Sequence, residues 1–353
     1  MQNSTKAISR RGFLGTSLAV AGTIAGTGLL SSCGKSEPVA GSSAKRGSRN
    51  ITWYTSAPSE FSSLIVKQFN ESQEEWTASM YYNVSNATLQ RVQSEIRAGR
   101  LGADLLMVAD PTPFMAMKKQ GLFYTYENSP QLPHYSEKYR DADGAWVTAR
   151  AITTCISYNT KSLPGGGPTG WEDLTSDKWS GKVSIGDVQS GGTIYNWYYV
   201  MRKTYGVDFW KALAATKPAI LPAHGPMMEK TISGELPISE QLGYYVYNAI
   251  KDKAPVKGVW TDPVPLSMAP IAIMKDAPNI EGAKVFFDWL LSVEGQTAVQ
   301  VLNGAYSVRD EGIKPLEGKP PFADLDIFTD YDWAEYEAKR VEWTKEFVYI
   351  FHL

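Results

Sequence analysis

The stretch Ala103–Val108, with the sequence Ala-Asp-Leu-Leu-Met-Val, decides the fold class. Its apolar run predicts a strand that is buried on both faces, as in parallel sheets. Two earlier β-prone stretches, Ile51–Thr55 and Ala78–Asn83, are each followed by helical apolar spacing, over Ser59–Asn70 and Ala87–Ala98 respectively. Strands and helices therefore alternate as βαβαβ, which predicts an α/β protein with a doubly wound, mostly parallel sheet flanked by helices.

A second alternation of strand and helix follows the long extended stretch Trp146–Tyr158. After a Gly/Pro-rich loop, a strand at Lys182–Ile185 and a helix at Thr193–Thr204 repeat the pattern. Later elements are predicted as a strand at Pro270–Met274 and as helices at Gly282–Leu291, Glu294–Leu302 and Asp330–Phe347. Two similar α/β lobes are the simplest arrangement, and we expect the aromatic side of the last helix to pack against one of them.

Composition places the chain among globular proteins of about two domains. Its 353 residues are 43% hydrophobic and 20% charged, with 35 Lys plus Arg against 37 Asp plus Glu. Because residues 1–32 hold three bases and no acid, the rest of the chain is net acidic, which argues against a nucleic-acid partner. The two cysteines, Cys33 and Cys155, are too few for an iron–sulfur cluster or a cysteine-based zinc site.

The first fifty residues resemble an export address. Arg10 and Arg11 precede an uncharged, mildly apolar stretch, which is typical of a twin-arginine signal peptide over residues 1–32. Cys33 follows an apolar residue and two small ones, as in the lipoprotein processing box, and residues 33–49 predict a flexible tether. We expect lipid at Cys33 to anchor the mature protein to the membrane, in the periplasm or at the cell surface. The alternative is an ordinary cleavage site that happens to lie near a cysteine.

Six short motifs occur in an order typical of one family. They are Trp53–Ser56, Ala103–Leu106, Tyr158–Thr160, Trp171–Leu174, Trp179–Val183 and Ser292–Gln296. Their order and spacing resemble the extracellular solute-binding proteins of ABC importers, in the branch that includes binders of ferric iron and of phosphonates or phosphorylated compounds. The resemblance covers roughly residues 50–315.

The resemblance implies a type II-like periplasmic-binding fold, in which two lobes enclose a ligand cleft. Lobe one would comprise residues 50–147 and 267–314, and lobe two residues 148–266 and 315–353. It also implies a binding protein without a cofactor, expected to be a monomer, that closes over a small solute and delivers it to a membrane permease.

The best oxyanion site is a turn between a predicted strand and a predicted helix, formed by Ser190, Gly191, Gly192 and Thr193. Unpaired backbone N–H groups and the positive helix end favour an anion there, and small residues allow it a close approach. An ordinary N-cap turn is the alternative.

In lobe one, Ser56 would add donors from the loop after the first strand. Asp110 would accept from an ammonium or hydroxyl group, or else cap the following helix.

Tyr244 and Tyr245, preceded by Glu240, form the second candidate ligand set. By resemblance, adjacent tyrosines at a comparable position bind ferric iron, a hard cation that suits anionic oxygen. Ser56–Ser59 lacks the histidine or tyrosine that such relatives often add after the first strand. Tyr245 could equally stack on an organic ligand, with Glu240 at the same end. We therefore expect a small organic oxyanion as cargo, with ferric iron as the alternative.

An enzyme is the competing class, since twin-arginine export also serves proteins that fold before transport. The only histidines are His134, His224 and His352, with no zinc-binding spacing, and no G-x-S-x-G nucleophile motif occurs. A pair of carboxylates that are distant in sequence stays open for a hydrolase. We expect a binding protein rather than an enzyme.

Overall fold

The computed structural model describes residues 49–353. The expected signal peptide with Arg10 and Arg11, the expected lipidation site Cys33 and the tether up to residue 48 lie outside the described residues. No helix in the described part of the chain combines the length and the apolar character needed to span a membrane.

Residues 49–353 contain nine strands and nine α-helices. The strands are β1 (Asn50–Thr55), β2 (Thr77–Tyr82), β3 (Leu105–Met107), β4 (Val147–Asn159), β5 (Val183–Gly186), β6 (Ala219–Leu221), β7 (Ile238–Leu242), β8 (Val256–Val259) and β9 (Leu266–Ile273). The helices are α1 (Ser59–Ser72), α2 (Ser85–Arg97), α3 (Thr112–Lys119), α4 (Gly192–Ala215), α5 (His224–Ser233), α6 (Gly243–Lys251), α7 (Ile280–Leu291), α8 (Val293–Asn303) and α9 (Trp333–Phe351).

The first sheet begins with the parallel strands that the βαβαβ pattern predicts. β1 lies between β2 and β3 and runs parallel to both. β9 lies antiparallel beside β3, and the first half of β4, Val147–Thr153, lies antiparallel beside β9. Apolar residues of α1, α7 and α8 cover one face of this sheet, and residues of α2 and α3 cover the other. We call this sheet with its helices lobe one.

The second half of β4 continues into another sheet. Its residues Thr154–Tyr158 pair with β7 and Ile156–Asn159 pair with β8, both antiparallel. β5 lies between β6 and β7 and runs parallel to both. Helices α4 and α9 share an aromatic core that includes Trp197, Trp210 and Trp343, so the last helix packs on this sheet. We call this sheet with α4, α5, α6 and α9 lobe two.

Strand β4 joins the two lobes. All 13 of its residues are buried, as expected for a strand that is covered on both faces. The chain returns toward lobe one through β9, which is also buried throughout. β4 and β9 belong to neither βαβ unit, so the alternation that predicts the parallel strands does not predict their antiparallel direction.

Several elements differ from their predicted extents or lack a prediction. α4 extends to Ala215 as two helical segments that meet at a kink, where Gly206 adopts a non-helical conformation with a φ of 75°. α9 begins at Trp333, where Asp332 caps the helix by accepting from the N–H groups of Ala334 and Glu335. β7 contains a buried polar run, Ser239–Gln241, and therefore gives no apolar signal in the sequence.

Candidate functional site

Six helices begin where a strand of a parallel β–α unit ends. They are α1, α2 and α3 in lobe one and α4, α5 and α6 in lobe two. In the part of the chain that the structure describes, no N-cap side chain of these six helices accepts a capping hydrogen bond. Asn279, Ser292 and Asp332 do cap the remaining helices α7, α8 and α9. At α3 the first N–H is satisfied from outside the N-cap position, because Thr112 donates to Asp110. At the other five helices, uncapped N–H groups and positive helix ends are concentrated at the strand ends, where open α/β sheets bind ligands.

The turn that was predicted as an oxyanion site connects β5 to α4. Gly191 is the extended N-cap residue, and Gly192 and Thr193 begin the helix, while Ser190 is exposed. A Cβ atom added at Gly192 would lie 3.1 Å from the carbonyl oxygen of Ala109, in lobe one. This distance is tighter than ordinary Cβ contacts, so glycine at position 192 favours the close approach of the two lobes at this edge.

Ser56 lies in the loop after β1, next to the loop after β3. Its Oγ accepts a hydrogen bond from the N–H of Ala109 at 3.2 Å, and its own N–H donates to the carbonyl oxygen of Met107. Ser56 is half-buried and ties these two loops together. Lobe one therefore presents Ser56 and Ala109 on connected loops, opposite the Gly191–Gly192 turn.

The Asp110 carboxylate is already occupied by protein partners. Oδ1 accepts from the N–H and the Oγ1 of Thr112, at 2.9 and 2.8 Å, as the predicted capping alternative requires. Oδ2 lies 2.6 Å from Nη2 of Arg340 on α9. Arg340 also stacks on Tyr195 and Tyr336 of the lobe two core, so this ion pair joins the two lobes. A second link is the hydrogen bond from Thr112 Oγ1 to Glu337 Oε2, at 3.2 Å.

Tyr244 and Tyr245 form the first turn of α6, and their rings stack with centroids 4.6 Å apart. Both side chains are half-buried, and both pack against the apolar core of lobe one. Burial raises the pKa of Tyr244 well above its usual value, and Tyr245, Arg150 and Tyr82 are its electrostatic neighbours. The Tyr245 hydroxyl reaches the start of α5, since a Cβ atom added at Gly225 would lie 3.6 Å from it.

Glu240 has no solvent exposure in this structure and lies on β7. Its Oε1 lies 2.8 Å from Nε2 of His224, and its Oε2 accepts from the N–H of Gly186 at 3.3 Å. These partners hold the start of α5 and the end of β5 against β7.

Of the candidate residues, the structure gathers Ser56, Asp110 and the 190–193 turn at one edge between the lobes. Tyr244 and Tyr245 lie at the α6 end, and Glu240 lies behind them in the sheet.

A family comparison matches most of this architecture. Residues 102–335 match the model of the bacterial extracellular solute-binding proteins. The chain belongs to this family. Extracellular solute-binding proteins of this kind capture a ligand for an ABC transporter, so the chain is a binding protein rather than an enzyme, and the family implies a periplasmic location.

One curated relative of this solute-binding protein is "Iron uptake protein A1" of Synechocystis sp., which is 25% identical over 330 residues, covering 85% of this chain and 87% of the relative. Among solved structures, iron-bound HitA from Pseudomonas aeruginosa has a TM-score of 0.73 at 20% identity, covering 84% of this chain and 99% of that one. AfuA from Actinobacillus pleuropneumoniae, with fructose-6-phosphate bound, has a TM-score of 0.74 at 21% identity, covering 87% and 100%. These likenesses establish the two-lobed periplasmic-binding fold.

Two residues near the cleft of this solute-binding protein are not among the site residues predicted from the sequence. Arg340 lies on the last helix, far in sequence from its partner Asp110. Arg150 lies in the middle of the long extended stretch, and it is the one charged residue of β4. A charge inside an otherwise uncharged buried strand is a usable signal, because buried charges require partners.

Proposed function

We propose that this solute-binding protein captures a small organic oxyanion, such as a phosphonate or a phosphorylated compound, and delivers it to an ABC permease. The observation that supports an anion is the set of five helix N-termini at the strand ends, those of α1, α2, α4, α5 and α6, that no side chain in residues 49–353 caps. Helix dipoles favour negative charge, and unpaired N–H groups can donate to a ligand's oxygens without first displacing a protein cap. The fructose-6-phosphate bound to AfuA is an anion of this class.

In this proposal the ligand's charged group contacts the donors of Ser190, Gly191, Gly192 and Thr193 and the hydroxyl of Ser56. Tyr245 contacts the other end of the ligand. Asp110 and Glu240 act through their partners, because Arg340 and His224 occupy their carboxylates. The ligand keeps its bonds throughout, and binding drives closure only through contacts that are better in the closed state.

The export and anchoring of the protein are part of the same proposal. The paired arginines Arg10 and Arg11 would direct twin-arginine export, and lipid at Cys33 would hold a monomer at the membrane beside its permease.

We also propose that residues 50–147 with 267–314, and 148–266 with 315–353, move as two bodies. The change of partner along β4, from β9 before Thr154 to β7 and β8 after it, supports a hinge there.

A thermal-shift and calorimetric screen tests the cargo. Purified protein is titrated with methylphosphonate, fructose 6-phosphate and inorganic phosphate, with fructose as the neutral control. We expect at least one phosphonate or phosphate to raise the melting temperature and bind with a 1:1 stoichiometry, while fructose has no effect. Equal responses to fructose and to its phosphate would contradict an oxyanion site.

Ferric iron is the second candidate cargo, and the stacked pair Tyr244 and Tyr245 favours it. A relative named for iron uptake and the iron-bound HitA structure agree with this candidate. The positive guanidinium of Arg150 beside the pair favours the oxyanion instead. The discriminating measurement is visible absorption after addition of ferric citrate. A tyrosinate-to-iron charge-transfer band that disappears in Tyr244→Phe/Tyr245→Phe would establish iron as the cargo.

A further inference from the structure

Arg150 is an unusual residue for the middle of a buried strand. Only 2% of its surface is exposed, and burial lowers the pKa of its guanidinium to about 10. The register of β4 against β9 shifts at this point, since Thr148 pairs with Pro270 and Arg150 pairs with the next residue, Ala269. Ala149 is thus the extra residue of a β-bulge. Bulges often redirect a side chain beside a functional site, and this one sets the face to which Arg150 belongs.

The hydrogen bonds of Arg150 leave one edge of the guanidinium without a protein acceptor. Nε and Nη2 donate to Oδ1 of Asn303, at 3.2 and 2.5 Å. A guanidinium has five N–H donors, so the edge formed by Nη1 and the second hydrogen of Nη2 is left over. Within residues 49–353 no carboxylate forms a salt bridge with Arg150. Buried charges in proteins are normally paired, and an unpaired one indicates a missing partner.

The surroundings of Arg150 lie where the two lobes meet. Its guanidinium lies 5.1 Å from the ring centre of Phe61, in the first turn of α1, and 5.7 Å from that of Tyr244, in the first turn of α6. Strand periodicity and the β4 and β9 register place Thr154 and Ser267 on the same face as Arg150. Within residues 49–353, the buried hydroxyls of Thr154 and Ser267 have no hydrogen-bond partner.

We propose that Arg150 binds the anionic group of the ligand at the base of the cleft, through the Nη1 and Nη2 edge. This reverses the ligand orientation described above, because the anionic group then lies at the Tyr244 end and the 190–193 turn contacts the other end of the ligand. This inference rests on the proposed oxyanion function and narrows its ligand class. A planar fork of two donors matches a pair of oxygens on one carboxylate, phosphonate or phosphate group. The cargo is therefore a compound with a terminal two-oxygen anion, which enters between the first turns of α1 and α6 when the lobes are open. The Phe61 and Tyr244 rings then enclose the ion pair.

The test compares Arg150→Gln, Arg150→Lys and wild type by calorimetric titration with methylphosphonate, fructose 6-phosphate and inorganic phosphate. Arg309→Gln is the matched control. Arg309 is a half-buried arginine that also lacks a carboxylate partner among the described residues; its Nη1 donates to Gln131 Oε1 and to the carbonyl oxygen of Leu291. We expect Arg150→Gln to weaken binding of the tightest probe by about 30-fold or more, because it removes one member of a buried charge pair. Arg150→Lys keeps the charge without the fork and should lose less.

The melting temperature of each unliganded variant separates a role in binding from a role in folding. If Arg150 serves the ligand, Arg150→Lys folds and melts near wild type, yet its ligand-induced rise in melting temperature is smaller, while Arg309→Gln keeps the full rise. Wild-type affinity in folded Arg150→Gln or Arg150→Lys would overturn the Arg150 assignment and leave the oxyanion function standing. A wild-type protein that binds none of the three anions, or that binds ferric iron with no anion present, would overturn both.

Discussion

At the scale of single residues, Gly192 is the most sensitive position of the cleft edge. Its site for a Cβ atom lies 3.1 Å from the Ala109 carbonyl oxygen and 3.6 Å from Asp110 Oδ2, across the gap between the lobes. We expect Gly192→Trp to abolish binding of the phosphonate and phosphate probes, because the indole fills the space that both closure and the ligand require. Gly192→Ala should weaken binding by less, since lobe one can retreat by a few tenths of an ångström.

The matched control for Gly192→Trp is Gly165→Trp. Gly165 is exposed, and a Cβ atom added there meets nothing within 4 Å. Calorimetric affinity and far-UV circular dichroism of both variants check the prediction. Unchanged affinity in a folded Gly192→Trp protein would remove the 190–193 turn from the site.

Lys319 is a second residue with a measurable consequence, this time for stability. It is 7% exposed, its Nζ donates to the carbonyl oxygen of Gly304, and it lies 3.3 Å from the centre of the Tyr306 ring. Burial lowers the pKa of Lys319 to about 7. Between about pH 7 and pH 10 the unfolded chain therefore holds more protons than the folded one, and the free energy of unfolding rises with pH. Below about pH 7 both states are protonated, and the cost of the buried charge is present in full.

Urea unfolding from pH 6.5 to pH 9.5 measures this effect. Wild type should gain up to about 1.4 kcal/mol per pH unit from this one proton, and Lys319→Met should lose that slope. Lys314→Met, an exposed lysine of the same segment, should keep it. Burial raises the pKa of the nearby Cys155 thiol, so this thiol lowers the free energy of unfolding above about pH 8.5, in wild type and in Lys319→Met alike. Parallel pH profiles for wild type and Lys319→Met would contradict the prediction.

At the residue scale, the sequence predicts where the candidate turns lie, but it does not predict which side chains contact the candidate residues. Ser190, Gly191, Gly192 and Thr193 stand between a strand and a helix in the sequence as in the structure, because the strand ending and the glycines are local signals. Arg150 with Asn303 and Asp110 with Arg340 are far apart in sequence, so no local pattern reveals them. Glu240 was expected near the ligand, yet a polar run inside a strand does not tell which of its side chains is buried.

At the scale of elements, α9 links the lobes through a small number of polar contacts. It packs on α4 of lobe two, while Arg340 and Glu337 reach Asp110 and Thr112 of lobe one. The Asp110 side chain is 10% exposed and that of Arg340 is 29% exposed, so solvent only partly screens this ion pair. We expect Arg340→Gln to favour the open arrangement and to weaken ligand affinity by roughly 5-fold, which corresponds to about 1 kcal/mol of lost interlobe contact.

A double-mutant cycle isolates this contact from other effects of the substitutions. Asp110→Asn and Arg340→Gln are combined, and affinity for the tightest anion probe is measured for all four proteins. If the ion pair acts between the lobes, the double variant loses no more than the worse single variant, and the coupling shrinks at high salt. Strictly additive losses would mean that Asp110 and Arg340 affect binding independently.

The sequence predicted the parallel units well and the rest of each lobe less well. β1, α1, β2 and α2 occur within two residues of their predicted bounds, because apolar periodicity and strand length agree there. β6, β7, β8, α5 and α6 received no prediction. β6 has only three residues and β7 buries three consecutive polar ones, so neither gives the alternating or continuous apolar pattern of a strand. Their positions are fixed by pairing with β4 and β5, which is tertiary information.

At the scale of the whole molecule, the two-lobed fold could be anticipated because two strand and helix alternations flank one long extended stretch. The direction of β4 and β9 could not, since each strand pairs with partners that are distant in sequence. This crossing has a mechanical consequence. A strand shared by two sheets allows the lobes to rotate while their cores stay intact, so closure changes the cleft but little else.

The last prediction concerns this closure. The first turns of α1 and α6, the Gly192 edge and the Asp110–Arg340 pair meet only when the lobes are together. A ligand that contacts both lobes must therefore shift the population toward the compact form. Small-angle scattering of wild type should show a smaller radius of gyration at saturating concentrations of the tightest anion probe than without it. Arg340→Gln should start from a larger value and still contract, because its ligand contacts are intact. Gly192→Trp should not contract. A radius that stays constant in ligand-saturated wild type would mean that this protein captures its solute without moving its lobes.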